Sequence, residues 1–441
     1  MKTMNLPRPV QDCLTRLEQN GFAAYAVGGC VRDACLGLTP NDYDLCTGAL
    51  PEQTASVFWD RSRGLTGARH GTVAVETDWG TVEITTFRAE GDYRDHRHPG
   101  WVKFVPRIRE DLARRDFTVN AMAWSPSRGL CDPFGGEEDL RRGILRTVGD
   151  PFVRFQEDAL RILRGIRFSA RFRLVPEENT LKAMISRAEL LKTLPGERIL
   201  EELSGALVHM DAEDLKRFAP VLSVVIPELG PMVDFDQHSP HHAYDLYTHT
   251  ALVTQQVPED LTLRWAALLH DIGKVPSFTR DENGRGHFYG HAPTGARMAD
   301  RVHRALKAPA VLREQAVTLI GEHMTALEPD RQALCSRIAD LGWDTTEKLW
   351  YLQRADLGSK GTDTPADREH FRQVREMLDQ LHREDPCLSL SQLAVTGKDL
   401  MDLGLRGRDI GDTLQRLLKE VVAGNLENKK EALLRAVHPE A

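Results

Sequence analysis

Two carboxylates stand one residue apart near the amino end of the chain, shortly after a pair of glycines. The glycines are Gly28 and Gly29, and Arg32 follows them before Asp42 and Asp44. Residues i and i+2 of an extended segment face the same way, so Asp42 and Asp44 are expected to aim their oxygens at one point. Such oxygens suit Mg²⁺, which commonly combines one or two protein carboxylates with substrate phosphates. The pattern therefore predicts a magnesium-dependent site for phosphoryl transfer.

Three further polar residues fit a site of this kind. Glu83 can supply a third carboxylate, although a strand with one outward-facing Glu is the more ordinary interpretation. Arg115 offers a planar guanidinium that matches triphosphate oxygens, and Asn120 can hydrogen-bond to a ribose. These side chains extend the predicted site from a metal to a nucleotide.

The segment 155–168 has the spacing of one amphipathic helix. Its apolar residues fill one arc at about 100° per residue, whereas Asp158, Arg161 and Arg164 fall on the other. An Asp and an Arg at i and i+3 also form ordinary surface ion pairs, so the spacing alone leaves two interpretations open. The polar arc either binds a ligand or is simply solvated.

Histidine and aspartate recur in the second half of the chain, in mostly apolar helical segments. One buried histidine is usually a satisfied core residue, but a group of imidazoles and carboxylates suits Mn, Ni, Co or Fe. The sequence therefore predicts a transition-metal site there. Its candidate ligands are His249, His270, Asp271, His291, His323 and Asp356.

Composition sets the broad class. The chain has 441 residues, 41% of them hydrophobic, and a formal net charge of −8, which excludes a histone-like basic coat. Its seven cysteines form no C-x-x-C pair, which predicts reduced thiols in a cytoplasm. Residues 1–10 lack an apolar core and no long apolar run follows, so we expect no leader and no membrane span.

Residue patterns change type along the chain. Residues 10–20 have helical spacing, 22–27 form a short apolar run ending in glycine, and 72–76 and 81–87 predict a β-hairpin. Beyond Asp150 the helical period dominates. The pattern predicts a mixed α and β first part of about 140 residues, followed by helices.

The first half resembles the class II tRNA nucleotidyltransferase and poly(A) polymerase family, a branch of the polymerase-β-like nucleotidyltransferases. The resemblance rests on G-G-x-V-R-D, D-x-D, V-E-I-T-T-F-R, R-R-D-F-T-x-N-A and D-P-F-G-G in the family's order. It implies an α+β head with a mixed sheet, followed by all-α neck, HD and tail domains. Residues 90–99 resemble the family's mobile loop. The domains are expected at 1–140 (head), 141–228 (neck), 229–365 (HD) and 366–441 (tail).

The resemblance also implies roles for single residues. Asp42 and Asp44 match the metal-binding catalytic pair, and Glu83 matches a nearby acidic position. In the family, residues matching Asp158 and Arg161 face the Watson-Crick edge of the incoming base. An acceptor and a donor there suit cytosine and adenine, which share an exocyclic amine. The positions that match nucleotide contacts are Gly29, Arg32, Arg115, Arg164 and Arg167.

A second resemblance covers about residues 230–365. The run L-L-H-D-I-G-K, with an upstream His and a downstream Asp, looks like the HD phosphohydrolase domain. It implies a metal held by His249, His270, Asp271 and Asp356, with His291 and His323 matching positions used for a second metal or a substrate phosphate. The implied activity is metal-dependent phosphoester hydrolysis, for instance of a 2′,3′-cyclic phosphate at a damaged RNA end. An inactive scaffold is the alternative.

Together these features predict template-independent addition of C, C and A to the 3′ end of tRNA. The expected partners are tRNA, CTP and ATP, with Mg²⁺ at the transferase site and neither DNA nor membrane. The alternatives are a poly(A) polymerase, a partial enzyme adding only CC or only A, an HD phosphohydrolase with an RNA-binding first half, and a noncatalytic RNA-binding protein.

Overall fold

The computed structural model describes residues 4–62, 71–91, 100–239 and 243–437. These residues form two compact units. The first comprises the described part of Met1–Met210 and Arg217–Pro227, and the second that of Asp211–Lys216 and Glu228–Ala441. Among the described helices, none combines the length and the apolar character needed to cross a membrane.

A six-stranded sheet is the centre of the first unit, in the order β3-β4-β2-β1-β7-β8. The β2 and β4 strands pair in parallel and the other neighbours are antiparallel, which confirms the predicted mixed sheet. Two small pairs, β5 with β6 and β9 with β10, lie outside it. In chain order the strands are β1 (Ala24–Val27), β2 (Leu45–Thr47), β3 (Thr72–Thr77), β4 (Gly80–Thr86), β5 (Arg88–Gly91), β6 (Trp101–Phe104), β7 (Ala123–Ser125), β8 (Gly129–Cys131), β9 (Ile144–Leu145) and β10 (Val175–Pro176).

Helices accompany this sheet and continue beyond it. The first follows the predicted spacing, because its apolar residues at positions 10, 13, 14 and 17 are all buried. The helices are α1 (Arg8–Gln19), α2 (Gly29–Cys35), α3 (Pro51–Val57), α4 (Ile108–Ala113), α5 (Gly136–Arg141), α6 (Pro151–Glu157), α7 (Leu160–Phe172), α8 (Glu178–Ser186), α9 (Gly196–Leu207) and α10 (Ala212–Val225), with 3₁₀ turns at Thr118–Asn120, Ala188–Thr193 and Pro227–Met232.

The predicted single helix over 155–168 is wrong in one respect. The chain forms α6 and α7 with a break at Asp158, whose backbone is extended at φ −142° and ψ 103°. The Asp158 carboxylate accepts the backbone N–H of Leu160 at 3.0 Å. Aspartate readily caps the start of a helix in this way, so a new helix begins where the sequence pattern alone continues the old one.

The second unit is mainly helical, with one short hairpin of β11 (Thr279–Arg280) and β12 (Gly286–His287). The two-residue strands β9 to β12 are a small departure from the expected all-α character after residue 140. Its helices are α11 (Leu246–Gln256), α12 (Leu261–Leu269), α13 (His291–Ala305), α14 (Ala310–Glu322), α15 (Arg331–Leu341), α16 (Trp343–Gly358), α17 (Pro365–Glu384), α18 (Gly397–Asp402), α19 (Arg408–Val422) and α20 (Lys430–Val437), with 3₁₀ turns at Val275–Ser277 and Leu390–Gln392.

Replacing Gly136 with Ala is expected to destabilise the first unit. A Cβ at Gly136 would lie 2.2 Å from the carbonyl oxygen of Thr118, so the backbone must shift. We expect Gly136→Ala to lower the free energy of unfolding by about 1–3 kcal/mol, measured by urea titration with circular dichroism. Gly411→Ala is the control, because Gly411 is helical with open space around it, and should be neutral or stabilising. Equal loss in both variants would contradict this account of Gly136.

Candidate functional site

One cleft of about 580 Å³ in the first unit collects most of the predicted transferase residues. Glu83 is the single predicted member that does not line it among the described residues. The cleft therefore brings together side chains from β-strand ends, loops and α7 that are far apart in sequence. The predicted residues that line it are Gly29, Arg32, Asp42, Asp44, Arg115, Asn120, Asp158, Arg161, Arg164 and Arg167.

Asp42 and Asp44 lie immediately before β2, not within it. The carbonyl of Asp44 accepts the backbone N–H of Val27 at 3.0 Å, which ties this segment to β1. Although Asp44 retains solvent exposure, desolvation by the surrounding protein raises the pKa of its carboxyl, and the negative charge of Asp42 raises this pKa further, against the opposing effect of Arg115. A donor set made only of carboxylate oxygens fits a hard divalent cation, which would relieve their mutual repulsion.

Glu83 lies beside this pair on the neighbouring strand. Ile84 pairs in register with Leu45, so the residues preceding them, Glu83 and Asp44, are adjacent across β4 and β2. The Glu83 side chain is exposed, yet its charge contributes to the raised pKa of Asp44. Its distance from the cleft lining and its nearness to Asp44 are both consistent with a supporting carboxylate.

Arg32 is held rigidly at the cleft wall. Its Nη1 donates to the amide oxygen of Asn120 at 2.7 Å, and its Nε and Nη2 donate to Asp33. The guanidinium carbon lies 4.2 Å from the ring centroid of Phe172. Asn120 in turn donates to Asp116 at 3.2 Å, so the Asn120 amide is engaged in fixing Arg32.

Asp158 and Arg161 face the cleft from the junction of α6 and α7. Arg161 Nη1 donates to Glu157 at 2.8 Å, whereas Arg161 Nε is 4.0 Å from the Asp158 carboxylate. The pair therefore does not form a close mutual hydrogen bond through Nε. Burial raises the pKa of Asp158, with Arg161 acting in the opposite direction. This is a geometry in which an acceptor and a donor can both meet a base edge.

Two buried acids hold further arginines of the cleft in place. Arg164 donates to Asp116 at 2.8 Å, and Arg167 donates to Glu202 of α9 at 2.6 Å. Glu202 was not among the residues that the sequence pattern singled out. A charged residue at i+3 from the buried Ile199 was the available signal.

Two more cleft residues were missed. Phe168 lies under several guanidinium groups, at 5.3 Å from Arg32, 5.3 Å from Arg164 and 4.9 Å from Arg167. Arg171 also lines the cleft, one heptad after Arg164 on α7. Its i+7 spacing from Arg164 could have identified it.

The segment 90–99, which resembles the family's mobile loop, lies only partly within the described residues. Glu90 lies on β5, lines the cleft and accepts a hydrogen bond from Arg114 at 3.2 Å. The predicted segment from residue 92 to residue 99 lies outside the described ranges.

The predicted histidine and aspartate cluster is assembled in the second unit. The ligand atoms of His249, His270, Asp271 and Asp356 all lie within 4.8 Å of one another, and those of Asp271, His291 and His323 form a second such group. Asp271 is common to both groups. These six residues are buried and come from α11, α13, α16 and the ends of α12 and α14.

Hydrogen bonds to the backbone aim the imidazoles into this cluster. His270, His291 and His323 each place Nδ1 within 2.7–2.8 Å of a carbonyl oxygen of the preceding turn. If Nδ1 carries the proton in each of these three rings, Nε2 carries the lone pair that can bind a metal ion. The Nε2 atom of His270 is buried and has no hydrogen bond in the described structure. Such inward-facing nitrogen atoms fit a bound metal ion.

Electrostatics favour the metal-binding protonation states of His323 and Asp271. For His270, burial opposes protonation, but the charges of Asp271 and Asp356 raise its pKa, so a metal ion binding there would displace a proton. Burial lowers the pKa of His323 to about 4, and the charge of His270 acts in the same direction. Burial opposes ionisation of Asp271, but the charges of His270 and Lys274 hold its pKa well below the usual range. Neutral imidazoles and an ionised carboxylate are the ligand forms that bind divalent transition metals.

Three family models match successive parts of the chain. Residues 24–146 match the Poly A polymerase head domain, and residues 241–356 match the HD domain. Residues 363–437 match the putative tRNA nucleotidyltransferase domain 2. The first two models agree with the two resemblances noted in the sequence.

Three known proteins similar to this chain carry the name CCA-adding enzyme. The CCA-adding enzyme of Levilactobacillus brevis is 35% identical over 98% of this chain and 97% of its own length. The Bacillus stearothermophilus CCA-adding enzyme in complex with CTP superposes with a TM-score of 0.68 at 27% identity, covering 98% of this chain and 99% of that one. The Thermotoga maritima CCA-adding enzyme complexed with tRNA shares the fold, with a TM-score of 0.58 at 18% identity over 99% and 97%.

Removing Glu202 is expected to destabilise the first unit and release Arg167. Because the Arg167 side chain is 24% exposed, we expect Glu202→Ala to cost about 2 kcal/mol, below the loss typical of a fully buried pair. Urea titration measures this loss. The neighbouring Glu201→Ala is the control, since Glu201 is exposed and pairs only at the surface with Arg198. A Glu202→Ala protein as stable as Glu201→Ala would contradict the assigned role.

Proposed function

The chain belongs to the family of CCA-adding enzymes, and we propose that it adds C, C and A in turn to the 3′ end of tRNA, using CTP and ATP. The observation that carries the proposal is the single cleft in which a carboxylate pair, several arginines and the Asp158–Arg161 pair meet. No nucleic-acid template is needed, because protein side chains read the base.

In the proposed reaction the 3′-oxygen of the primer bonds to the α-phosphorus of the nucleotide, and the bond from this phosphorus to pyrophosphate breaks. Mg²⁺ held by Asp42 and Asp44, with Glu83 beside them, would lower the pKa of the 3′-hydroxyl and neutralise charge on the phosphates. Arg32 and Arg115 bind triphosphate oxygens through paired N–H donors. Gly29, at the start of α2, lets the backbone approach the phosphates.

Base selection is assigned to the junction of α6 and α7. Asp158 accepts a hydrogen bond from the exocyclic amine that cytosine and adenine share, and Arg161 donates to a ring nitrogen or carbonyl. Guanine and uracil would leave these buried groups unpaired, which a polar site rejects strongly. Arg164 and Arg167 line the same cleft with Asn120, which keeps Arg32 in place.

Similarity over nearly the full chain favours CCA addition over the alternatives in the same class. A relative covered to 97% of its length at 35% identity carries the CCA-adding name. A poly(A) polymerase and a partial CC- or A-adding enzyme are therefore weaker hypotheses than complete CCA addition. The carboxylate set in the cleft also argues against a merely RNA-binding first half.

We propose a second, hydrolytic activity for the cluster in the HD domain. Both this activity and nucleotide addition need divalent metal ions, and the described residues provide candidate ligands. His249, His270, Asp271 and Asp356 suit a transition metal such as Ni, Mn, Co or Fe, which would activate water and polarise a phosphoester. The water oxygen bonds to phosphorus, one ester P–O bond breaks, and the leaving oxygen takes a proton.

His291 and His323 extend this second site. They share Asp271 with the first group and are proposed to hold a second metal or the substrate phosphate. A 2′,3′-cyclic phosphate at an RNA end is the proposed substrate. Its hydrolysis uses the step described above, in which water adds to phosphorus and one ester P–O bond breaks.

We further propose the division into head, neck, HD and tail domains at 1–140, 141–228, 229–365 and 366–441. The cytoplasm is the proposed location, because all seven cysteines are free thiols in the structure, as expected in a reducing compartment. No DNA and no membrane partner is proposed.

Changing both catalytic carboxylates to amides should abolish nucleotide addition. We expect Asp42→Asn with Asp44→Asn to lower the rate at least 1,000-fold, because the amides cannot neutralise a metal ion. The assay incubates tRNA lacking its 3′ end with each labelled triphosphate in turn, with and without Mg²⁺. Incorporation of C, C and then A by the unaltered protein is expected, and His270→Ala serves as the folded control. Poly(A) products, or full activity in the double variant, would overturn the proposal.

Loss of His270 should abolish hydrolysis while nucleotide addition continues. We expect the purified protein to bind divalent transition metal through the HD cluster, measured by elemental analysis, and His270→Ala to lose at least half of it. Hydrolysis of 2′,3′-cyclic AMP, followed by chromatography, should fall below detection. A metal-loaded protein that hydrolyses no phosphoester would show that the cluster is a scaffold.

A further inference from the structure

An exposed aromatic pair stands next to the HD cluster. Tyr289 is 78% exposed, one of the most exposed large aromatic residues in the described structure. Its ring stacks on that of His287, with centroids 5.4 Å apart and an interplanar angle of 5°. His287 is itself fixed by Asp281, 3.0 Å from its Nε2. One face of a flat, supported ring system is thus presented to solvent.

This pair is joined to the metal cluster by a short segment of chain. Tyr289 is two residues before the candidate ligand His291, and the carbonyl of Phe288, the residue before Tyr289, accepts from His291 Nδ1 at 2.8 Å. The Phe288 ring lies 5.4 Å from Lys274 Nζ, which is 2.8 Å from Asp271. Tyr289 is therefore within one short segment of groups that would surround a reacting phosphorus.

Because the Tyr289 ring is largely exposed, it contributes little to the core of the fold. Exposed aromatic rings bind nucleobases by stacking, and this binding tolerates different bases because every base has a π-face. Lys274 is buried and paired with Asp271, so the phosphate of the same nucleotide would be bound by the metal cluster and the base by the exposed ring.

We infer that Tyr289, backed by His287, is the base-stacking platform of the HD site. This inference rests on the proposed hydrolase function and names its substrate class as a phosphoester next to a nucleobase. The nucleobase belongs either to a free nucleotide or to the last residue of an RNA, and the test separates these two sources. Tyr289 is a specificity-determining residue and takes no part in the bond changes.

The first measurement compares a base-bearing with a base-free substrate. We expect Tyr289→Ala to lower the ratio of kcat/KM for 2′,3′-cyclic AMP to kcat/KM for glycerol 1,2-cyclic phosphate about tenfold, chiefly through KM. Chromatography follows the first substrate and phosphorus NMR the second. Tyr289→Phe should keep the ratio, because the ring is retained. Trp59→Ala is the matched control, as Trp59 is 79% exposed in the first unit.

The second measurement does not depend on hydrolysis. Stacking quenches 2-aminopurine, so 2-aminopurine riboside 3′-phosphate is titrated with the full chain while excess CTP fills the transferase cleft. Quenching by the unaltered protein and its loss in Tyr289→Ala are expected. Quenching that is absent, or unchanged in Tyr289→Ala, overturns the inference. A chain that hydrolyses neither substrate but shows Tyr289-dependent quenching overturns the hydrolase proposal alone.

A third comparison identifies the source of the base. The same terminal 2-aminopurine is presented as a mononucleotide and at the end of a trinucleotide. Equal affinity assigns the platform to free nucleotides, and tighter binding of the trinucleotide assigns it to RNA ends. Both results support stacking at Tyr289, whereas equal loss of both in Trp59→Ala would contradict it.

Discussion

The repulsion between carboxylates held close together is the constraint on which the first unit depends. Asp42, Asp44 and Glu83 gather their charge at one end of the sheet, and partial desolvation of Asp44 together with the charge of Asp42 raises the pKa of the Asp44 carboxyl. The chain neutralises this charge only partly, through Arg115. The remaining negative charge favours binding of a cation, and the arginines that line the neighbouring cleft favour binding of an anion. A nucleotide triphosphate bound to a divalent metal ion supplies both charges.

Buried acidic residues fix the orientation of the arginines that would bind the phosphates. Asp116 accepts from Arg164, and Glu202 accepts from Arg167, so each guanidinium keeps donors for a ligand in a fixed direction. Aromatic rings under these groups limit their movement further. Order of this kind reduces the entropy lost on binding, which is how a site becomes selective without adding contacts.

The sequence predicted the chemistry better than the geometry. Residues whose proposed role depends on local pattern, such as Asp42, Asp44 and the His270–Asp271 pair, could be predicted because spacing and residue type are both visible in the chain, and the structure places them in the cleft and the cluster. Glu202 and Phe168 were missed as functional residues, since their role arises from contacts made across the fold. Asp158 is a third case. Its side chain accepts a backbone N–H at the start of α7 and so separates α7 from α6, and a pattern of apolar spacing does not reveal such a capping bond.

Both proposed activities depend on the 3′-oxygen at the end of the RNA. Nucleotide addition requires a free 3′-oxygen on the RNA, because that oxygen attacks the α-phosphorus. A 2′,3′-cyclic phosphate engages this oxygen in an ester and blocks the reaction. Hydrolysis of the bond from phosphorus to the 3′-oxygen restores the hydroxyl, whereas hydrolysis at the 2′-oxygen leaves the end blocked. The direction of ring opening therefore decides whether the second activity supports the first, and a ring stacked on Tyr289 would fix the orientation that sets this direction.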